Sequence, residues 1–327
     1  MTYPRLLAVL TLLVAGLFMA SLLVGVADVS VMDSLAALFG GGEGPLPIVM
    51  REIRLPRAIL GVMVGVSLGL SGAAMQGYLR NPLAEPGVIG ISASAALGAV
   101  IALQSGLAAL FALALPLAAL TGAALCVLLI LLLAGSGGTL SLILAGIAVS
   151  ALSSALTALV LNLSPNPFAA NEIVFWMMGS LADRSFLQVW TALPVMLVGW
   201  ALLAFTGRGI DRLTLGEEAA ATMGINLKRL RLILVGGVAA SVGAATAVAG
   251  AVGFVGLVVP HVLRPLVGAR PARLLLTSAL GGAALVLTAD IAVRLILPGR
   301  DLKLGVLMAL VGAPVFFHLI WRMRGRS

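Results

Sequence analysis

Two histidines, one cysteine and 12 acidic residues are all that this sequence offers for acid–base, nucleophilic or metal chemistry, and none is spaced for it. His261 and His318 form no HExxH pair, which would set two imidazoles on one helix face around a zinc ion. Cys126 lies inside an apolar run, so neither a disulfide framework nor a cysteine-based metal site can be built. A GxxxxGK[ST] loop, whose backbone N–H groups would cradle nucleotide phosphates, is absent, as is the GxSxG elbow of a serine hydrolase. No catalytic residue, metal site or bound cofactor is therefore expected of this chain. Its polar residues are suited to recognition instead.

The most distinctive polar stretch is Thr214 to Arg231, TLGEEAAATMGINLKRLR. It is charged and helix-forming in a chain made otherwise of apolar runs. Thr214 and Glu217 have the spacing of a capping box, in which each side chain satisfies a free backbone N–H. Gly224 suits a left-handed stop, and Asn226 can cap the helix that follows. The stretch is thus expected to be a short surface helix, a sharp corner and a basic entry into an apolar span. Such a segment is either a plain loop or a docking surface for a soluble protein.

The elements that must hold these residues are membrane helices. Of the 327 residues 61% are hydrophobic and 10% charged, and the mean hydropathy is +1.18. No soluble domain of this length hides so much apolar surface. Ten spans are expected: Leu6 to Val26, a second from just after Arg57 to about Gln76, Val88 to Leu103, Leu107 to Leu133, Leu140 to Leu161, Val189 to Phe205, Leu232 to Val252, a short Val255 to Val267, Leu274 to Val293, and Leu304 to Ile320. The first exceeds the apolar length of a signal peptide and is expected to be retained. Pro116 marks a kink or a late helix start in the fourth. Asn171 to Leu181 is too short to span and has aromatics suited to an interface.

Gly61, Gly65 and Gly69 leave one face of the second span without side chains, so another helix can approach closely. Ser150, Ser154 and Thr157 share a face of the fifth, where they either bond their own backbone or contribute to a polar path. Within a span the one acid is Asp290, one turn before Arg294, and the two are expected to satisfy each other. That weakens an ion-driven carrier, which places acids at mid-membrane. His261 follows Pro260, where it either bonds backbone freed by the proline or ligates haem iron in a cargo path.

With the N-terminus inside, 13 of the 20 basic residues but only four of the 12 acids fall on the inner side. The positive-inside rule then puts both termini and the Thr214 stretch in the cytoplasm. The formal charge of +8 is explained by these loops without any nucleic-acid partner.

Six pieces occur in order: RLPR (Arg54 to Arg57), SGAAMQGYLRNPLAEPGVIGIS (Ser71 to Ser92), LGEEAAATMGIN (Leu215 to Asn226), GFVGLVVPHVLR (Gly253 to Arg264), TADIAVR (Thr288 to Arg294) and GAPVFF (Gly312 to Phe317). Together they resemble the permease family of ABC importers for iron–siderophores, haem and cobalamin, over nearly the whole chain. The resemblance implies an all-α permease of the type II importer fold, one transmembrane domain over residues 1–327, with a coupling loop at 207–231. It implies a second permease copy, identical or related, two ABC ATPase subunits that use the ATP, and a soluble substrate-binding protein, all at the inner membrane. Leu215, Gly216, Glu217, Glu218, Ala219, Ala220 and Gly224 would then meet the ATPase. The path would run between the two copies along the fifth and tenth helices, past Ser150, Ser154, Thr157 and Met308. Arg54, Arg57 and Arg294, otherwise headgroup anchors, match arginines that meet acidic residues of the binding protein. Two departures stand out: Ala221 where the family commonly has Arg, and Asp301-Leu302-Lys303-Leu304-Gly305 where it usually has Glu-Leu-Pro-Val-Gly.

The charge distribution predicts a labelling pattern. In a Cys126→Ala background, cysteines at Gly42 and Asp183 should react with an impermeant thiol reagent in intact cells. Those at Glu218 and Arg326 should react only after permeabilisation. Labelling of Glu218→Cys in intact cells would reverse the orientation.

Overall fold

The computed structural model describes residues 2–25, 30–39, 44–111, 113–135, 137–165, 167–297 and 302–324. Gly42, Asp301 and Arg326 lie outside the described residues. Among the described residues sixteen α-helices follow in order: α1 (Tyr3–Leu23), α2 (Val31–Phe39), α3 (Leu46–Ile48), α4 (Leu55–Tyr78), α5 (Ile91–Gln104), α6 (Leu107–Leu110), α7 (Ala114–Ala134), α8 (Thr139–Asn162), α9 (Pro167–Met177), α10 (Phe186–Phe205), α11 (Gly207–Leu213), α12 (Glu217–Thr222), α13 (Leu227–Ala249), α14 (Val255–Leu263), α15 (Pro271–Ile296) and α16 (Leu304–Arg324). A π-helical turn, Val49–Arg54, joins α3 to α4, and no strand occurs among the described residues.

Among the described residues seven helices are long and apolar enough to cross a membrane, and three shorter apolar helices at Ile91–Gln104, Val255–Val267 and Leu304–His318 bring the number to the ten expected. The boundaries differ in instructive places. The second span begins at Leu46, so that with the π turn it runs 33 residues. The fourth is divided: α6 is a single turn, and Pro116 sits in the first turn of α7, where a missing N–H costs nothing. The short α9, Pro167–Met177, takes in the first part of the segment expected at Asn171 to Leu181 and starts four residues earlier.

Close backbone contact organises the interior. On α4, Gly65 lies against Gly282 and Ala283, and Gly69 against Ser278, so a Cβ at Gly69 would overlap the Ser278 carbonyl oxygen. This is the side-chain-free face expected from the glycine spacing, and its partner is α15. A second seam joins α5 to α7, where Gly98 meets Ala118 and Gly122 meets Ser94. Around the first seam α13 packs with α10, and Trp200 of α10 donates its Nε1–H to Ser67 of α4 at 2.8 Å. By contrast α7 and α8 keep rows of exposed leucines, as helices that face lipid or a partner do.

Two helices start deep in the bundle. Gly90, left-handed at φ 79°, caps α5 and lies against Gly146 and Ser150, the middle of α8. Phe254, at φ 66°, precedes α14, whose Gly256 packs on Gly72 and Pro86. Glu85, which the sequence assigns to an inner loop, accepts a hydrogen bond from the Phe254 backbone N–H at 2.5 Å and ties the two connections together. Pro260 has no N–H for the Gly256 carbonyl one turn earlier. That carbonyl is met by the buried amide of Gln76, which donates to Gly256 and Leu257 at 3.3 Å each. Arg264 in turn donates to the Gln76 Oε1 at 2.7 Å. The backbone freed by the proline is therefore met from α4.

Gly69→Ala should lower stability by about 1–3 kcal/mol, the usual cost of forcing an extra carbon into a packed contact. Gly16→Ala should not, since a Cβ there meets nothing within 4 Å. The thermal midpoint of the detergent-solubilised protein checks both.

Candidate functional site

The corner expected between Thr214 and Arg231 is built from α11, α12 and the start of α13. Its end signals are local. Gly224 takes φ 84°; the Gly224 N–H donates to the Ala221 carbonyl and the Ile225 N–H to the Ala220 carbonyl, which completes a Schellman stop. Asn226 caps α13 by accepting from the Arg229 N–H at 2.9 Å. Within the corner Arg212 donates to the Met223 carbonyl, and Asp211 accepts from Ala272 at the start of α15, which ties the corner to the bundle. Leu215, Glu218 and Met223 are exposed and Ala220 is fully buried, which gives the segment one outward and one inward face.

The capping box does not form. Gly216, at φ 105°, is the N-cap of α12, and Thr214 turns back to donate to the Asp211 carbonyl at 2.7 Å. Glu217 instead reaches across to α8, where it accepts from the Thr139 hydroxyl at 2.7 Å. Beside it, Arg231 donates to the carbonyls of Gly135 and Gly137. Tyr78, Thr139, Glu217, Lys228 and Arg231 line a cavity of about 200 Å³ here.

Of the expected path residues, Ser154 and Thr157 line a cavity of about 430 Å³ with Ser92, Met177 and Ala251. The Thr157 hydroxyl donates to the Ser153 carbonyl at 2.9 Å, whereas Ser154 is exposed. Ser150 is half-buried against Gly90. Met308, 2% exposed, lies in the apolar core. Ser94 and Ser153, which sequence reasoning passed over, share a buried hydrogen bond of 2.7 Å between α5 and α8.

At the opposite end the arginines converge. Arg57 pairs with Asp290 at 2.9 Å, and Arg294 pairs with the other carboxylate oxygen, also at 2.9 Å. Asp290 is 1% exposed, so it is a buried anion held by two cations. The expected Asp290–Arg294 pair is present, and Arg57 joins it from α4. Arg294 also donates to the carbonyls of Ser21 and Val24 and to the Ser21 hydroxyl. Arg54, 6% exposed, donates to the carbonyls of Leu22 and Leu23. Two arginines thus cap the end of α1. Nearby, Arg184 donates to the Val248 carbonyl at the end of α13; burial pulls its pKa down and Asp183 opposes that shift.

Removing one partner of a buried ion pair leaves an uncompensated charge and costs roughly 3–5 kcal/mol. Asp290→Ala should therefore lower the yield of folded protein and its thermal midpoint far more than Glu218→Ala, read by fluorescence size-exclusion after heating.

Three similarities bear on this arrangement. The chain is 36% identical over 315 residues to the Fe(3+) dicitrate transport system permease protein FecD of Escherichia coli, covering 96% of this chain and 98% of that one. It is 38% identical over 280 residues to the cobalamin import system permease protein BtuC of Halobacterium salinarum, covering 84% and 73%. A solved chain described as an inward-facing conformation of an ABC transporter of metal-chelate type superposes with a TM-score of 0.87 at 31% identity, covering 98% of this chain and 99% of that one. The sequence model of the FecCD transport family matches residues 11–322, and the chain belongs to that family.

Proposed function

We propose that the chain is the permease subunit of an ATP-driven importer of a metal chelate, working as a pair of permease copies with two ATPase subunits and a soluble binding protein. The observation that carries this is the α11–α12 corner. A short helix with Leu215, Glu218 and Met223 exposed, stopped by a Schellman turn and bound to α15 through Asp211, is a rigid docking platform. The chain has no nucleotide-binding loop, so ATP would be spent by the partner seated there. Both termini and the corner would lie in the cytoplasm, with the membrane being the inner one.

The binding protein would dock at the opposite end, over Arg57 and Arg294. Arg54, Arg57 and Arg294 carry three positive charges, and Asp290 answers one of them. The surplus favours an acidic partner by charge complementarity. A ferric siderophore is the first cargo expected, with haem and cobalamin the alternatives. The cargo would pass between the two copies, with Ser154 and Thr157 facing the path. An ion-coupled carrier is the other reading; the double arginine clamp speaks against it, because both carboxylate oxygens of Asp290 are already held by Arg57 and Arg294.

Proteoliposomes holding the chain, its ATPase and its binding protein should accumulate ferric chelate only with ATP and be indifferent to an ionophore. The reverse pattern would favour the carrier. Glu218→Lys should reduce co-purification of the ATPase while leaving folded yield unchanged, since exposed charge changes cost the fold less than about 0.5 kcal/mol.

A further inference from the structure

The two adjacent acids of the docking helix face different ways. Glu218 is exposed, whereas Glu217, the first residue of α12, turns inward and accepts from the Thr139 hydroxyl at 2.7 Å. Thr139 is the first residue of α8, the 24-residue helix that carries Ser150, Ser154 and Thr157. The N-cap of α8 is Gly138, which has no side chain to offer the free N–H groups of the first turn. The Glu217 carboxylate, 78 residues away in sequence, stands there instead, where the positive end of the helix dipole favours an anion.

A second tie holds the same loop. Arg231, in the second turn of α13 and 9% exposed, donates to the carbonyls of Gly135 and Gly137 just before α8. The turn into α8 is thus gripped by a carboxylate on its helix end and a guanidinium on its carbonyls. Both come from the segment that bears the docking surface. Because Glu217 and Arg231 flank the Schellman corner, α12 cannot shift without moving the start of α8 or breaking these bonds.

Resting on the ATPase-docking reading above, we propose that Glu217 and Arg231 are positioning residues that transmit displacement of α12 to α8, and that contact with the ATPase falls to Leu215, Glu218 and Met223. Glu217 is then a strut inside the permease and not part of the surface that the ATPase touches. Gly135 takes φ 49° at the end of α7, and Gly138 gives α8 no side-chain cap, so the two ties supply the support that the start of α8 does not provide for itself.

The test uses the full permease–ATPase complex in nanodiscs, with spin labels at Leu144 on α8 and Leu276 on α15, both exposed. Electron–electron double resonance would compare the nucleotide-free complex with the vanadate-trapped ATP state. In the wild type the label distance should change on trapping. Glu217→Ala and Thr139→Val should each cut the shifted population by roughly fivefold or more, the lower end of usual coupling between sites, with ATPase co-purification unchanged. Glu217→Gln and Thr139→Ser, which keep acceptor and donor, should behave as wild type, and the double variant Thr139→Val/Glu217→Ala should be no worse than either single one. The proposal is overturned if α8 does not move in the wild type, if the two defects add, or if Glu217→Ala sheds the ATPase as Glu218→Lys does. A wild-type chain that holds no ATPase at all would sink the docking reading itself.

Discussion

A helix that stops leaves its last carbonyls without partners, and in a bilayer water is not there to supply them. Each such group left bare in hydrocarbon costs several kcal/mol. This constraint shapes the whole molecule, because its spans are broken, offset and begun at depth. The solution recurs: a long side chain from another helix brings donors to the exposed carbonyls. Arg54 and Arg294 serve α1, Arg184 serves α13, Arg231 serves the end of α7 and the turn after it, and Gln76 serves α14 where Pro260 has interrupted the ladder. Arginine suits the task, since its five donors reach two carbonyls at once and its charge answers the negative end of a helix dipole. Each of these bonds also welds two elements, so the same groups that satisfy backbone fix the architecture.

The weld is strongest where α4 and α15 meet. Their backbones touch through Gly65, Gly69 and Gly282, and near the end of that seam Asp290 accepts from Arg57 and Arg294. Packing and electrostatics there point the same way. Elsewhere the bundle is looser: α8 keeps a row of exposed leucines and reaches the core mainly through α5, α7 and the Pro86–Ile89 turn. A rigid pair of helices beside a helix with one face open is a natural division of labour for a permease.

Features encoded locally were legible in the sequence. The number of spans follows from apolar length, the glycine face from spacing by fours, the left-handed stop from Gly224, and the α13 cap from Asn226. What escaped depended on partners far along the chain. Thr214 and Glu217 have the right spacing for a capping box, but Gly216 at φ 105° takes the cap position and frees Glu217 for Thr139. Arg57 looked like a free surface charge because Asp290 lies 233 residues away. Arg231 counted only as a charge that sets orientation, and nothing near it in sequence indicates the two glycine carbonyls it holds. Glu85 has the look of a loop acid because periodicity gives no sign that residues 86–90 dip toward the middle of α8.

The α4–α15 seam also has a consequence for how the protein is made. Gly65 and Gly282, which touch in the finished bundle, lie far apart in a chain of 327 residues. At a ribosomal rate of about 5–20 residues per second, α4 waits tens of seconds or roughly ten at the fastest before its partner emerges. During that interval its glycine face has no helix to lie on, and Arg57 has no carboxylate. A nascent chain in this state is poorly packed and carries a cation without its carboxylate, the kind of exposed intermediate that is prone to misassociate. The last third of the polypeptide is therefore what converts the first third from a tolerated guest in the bilayer into a folded structure.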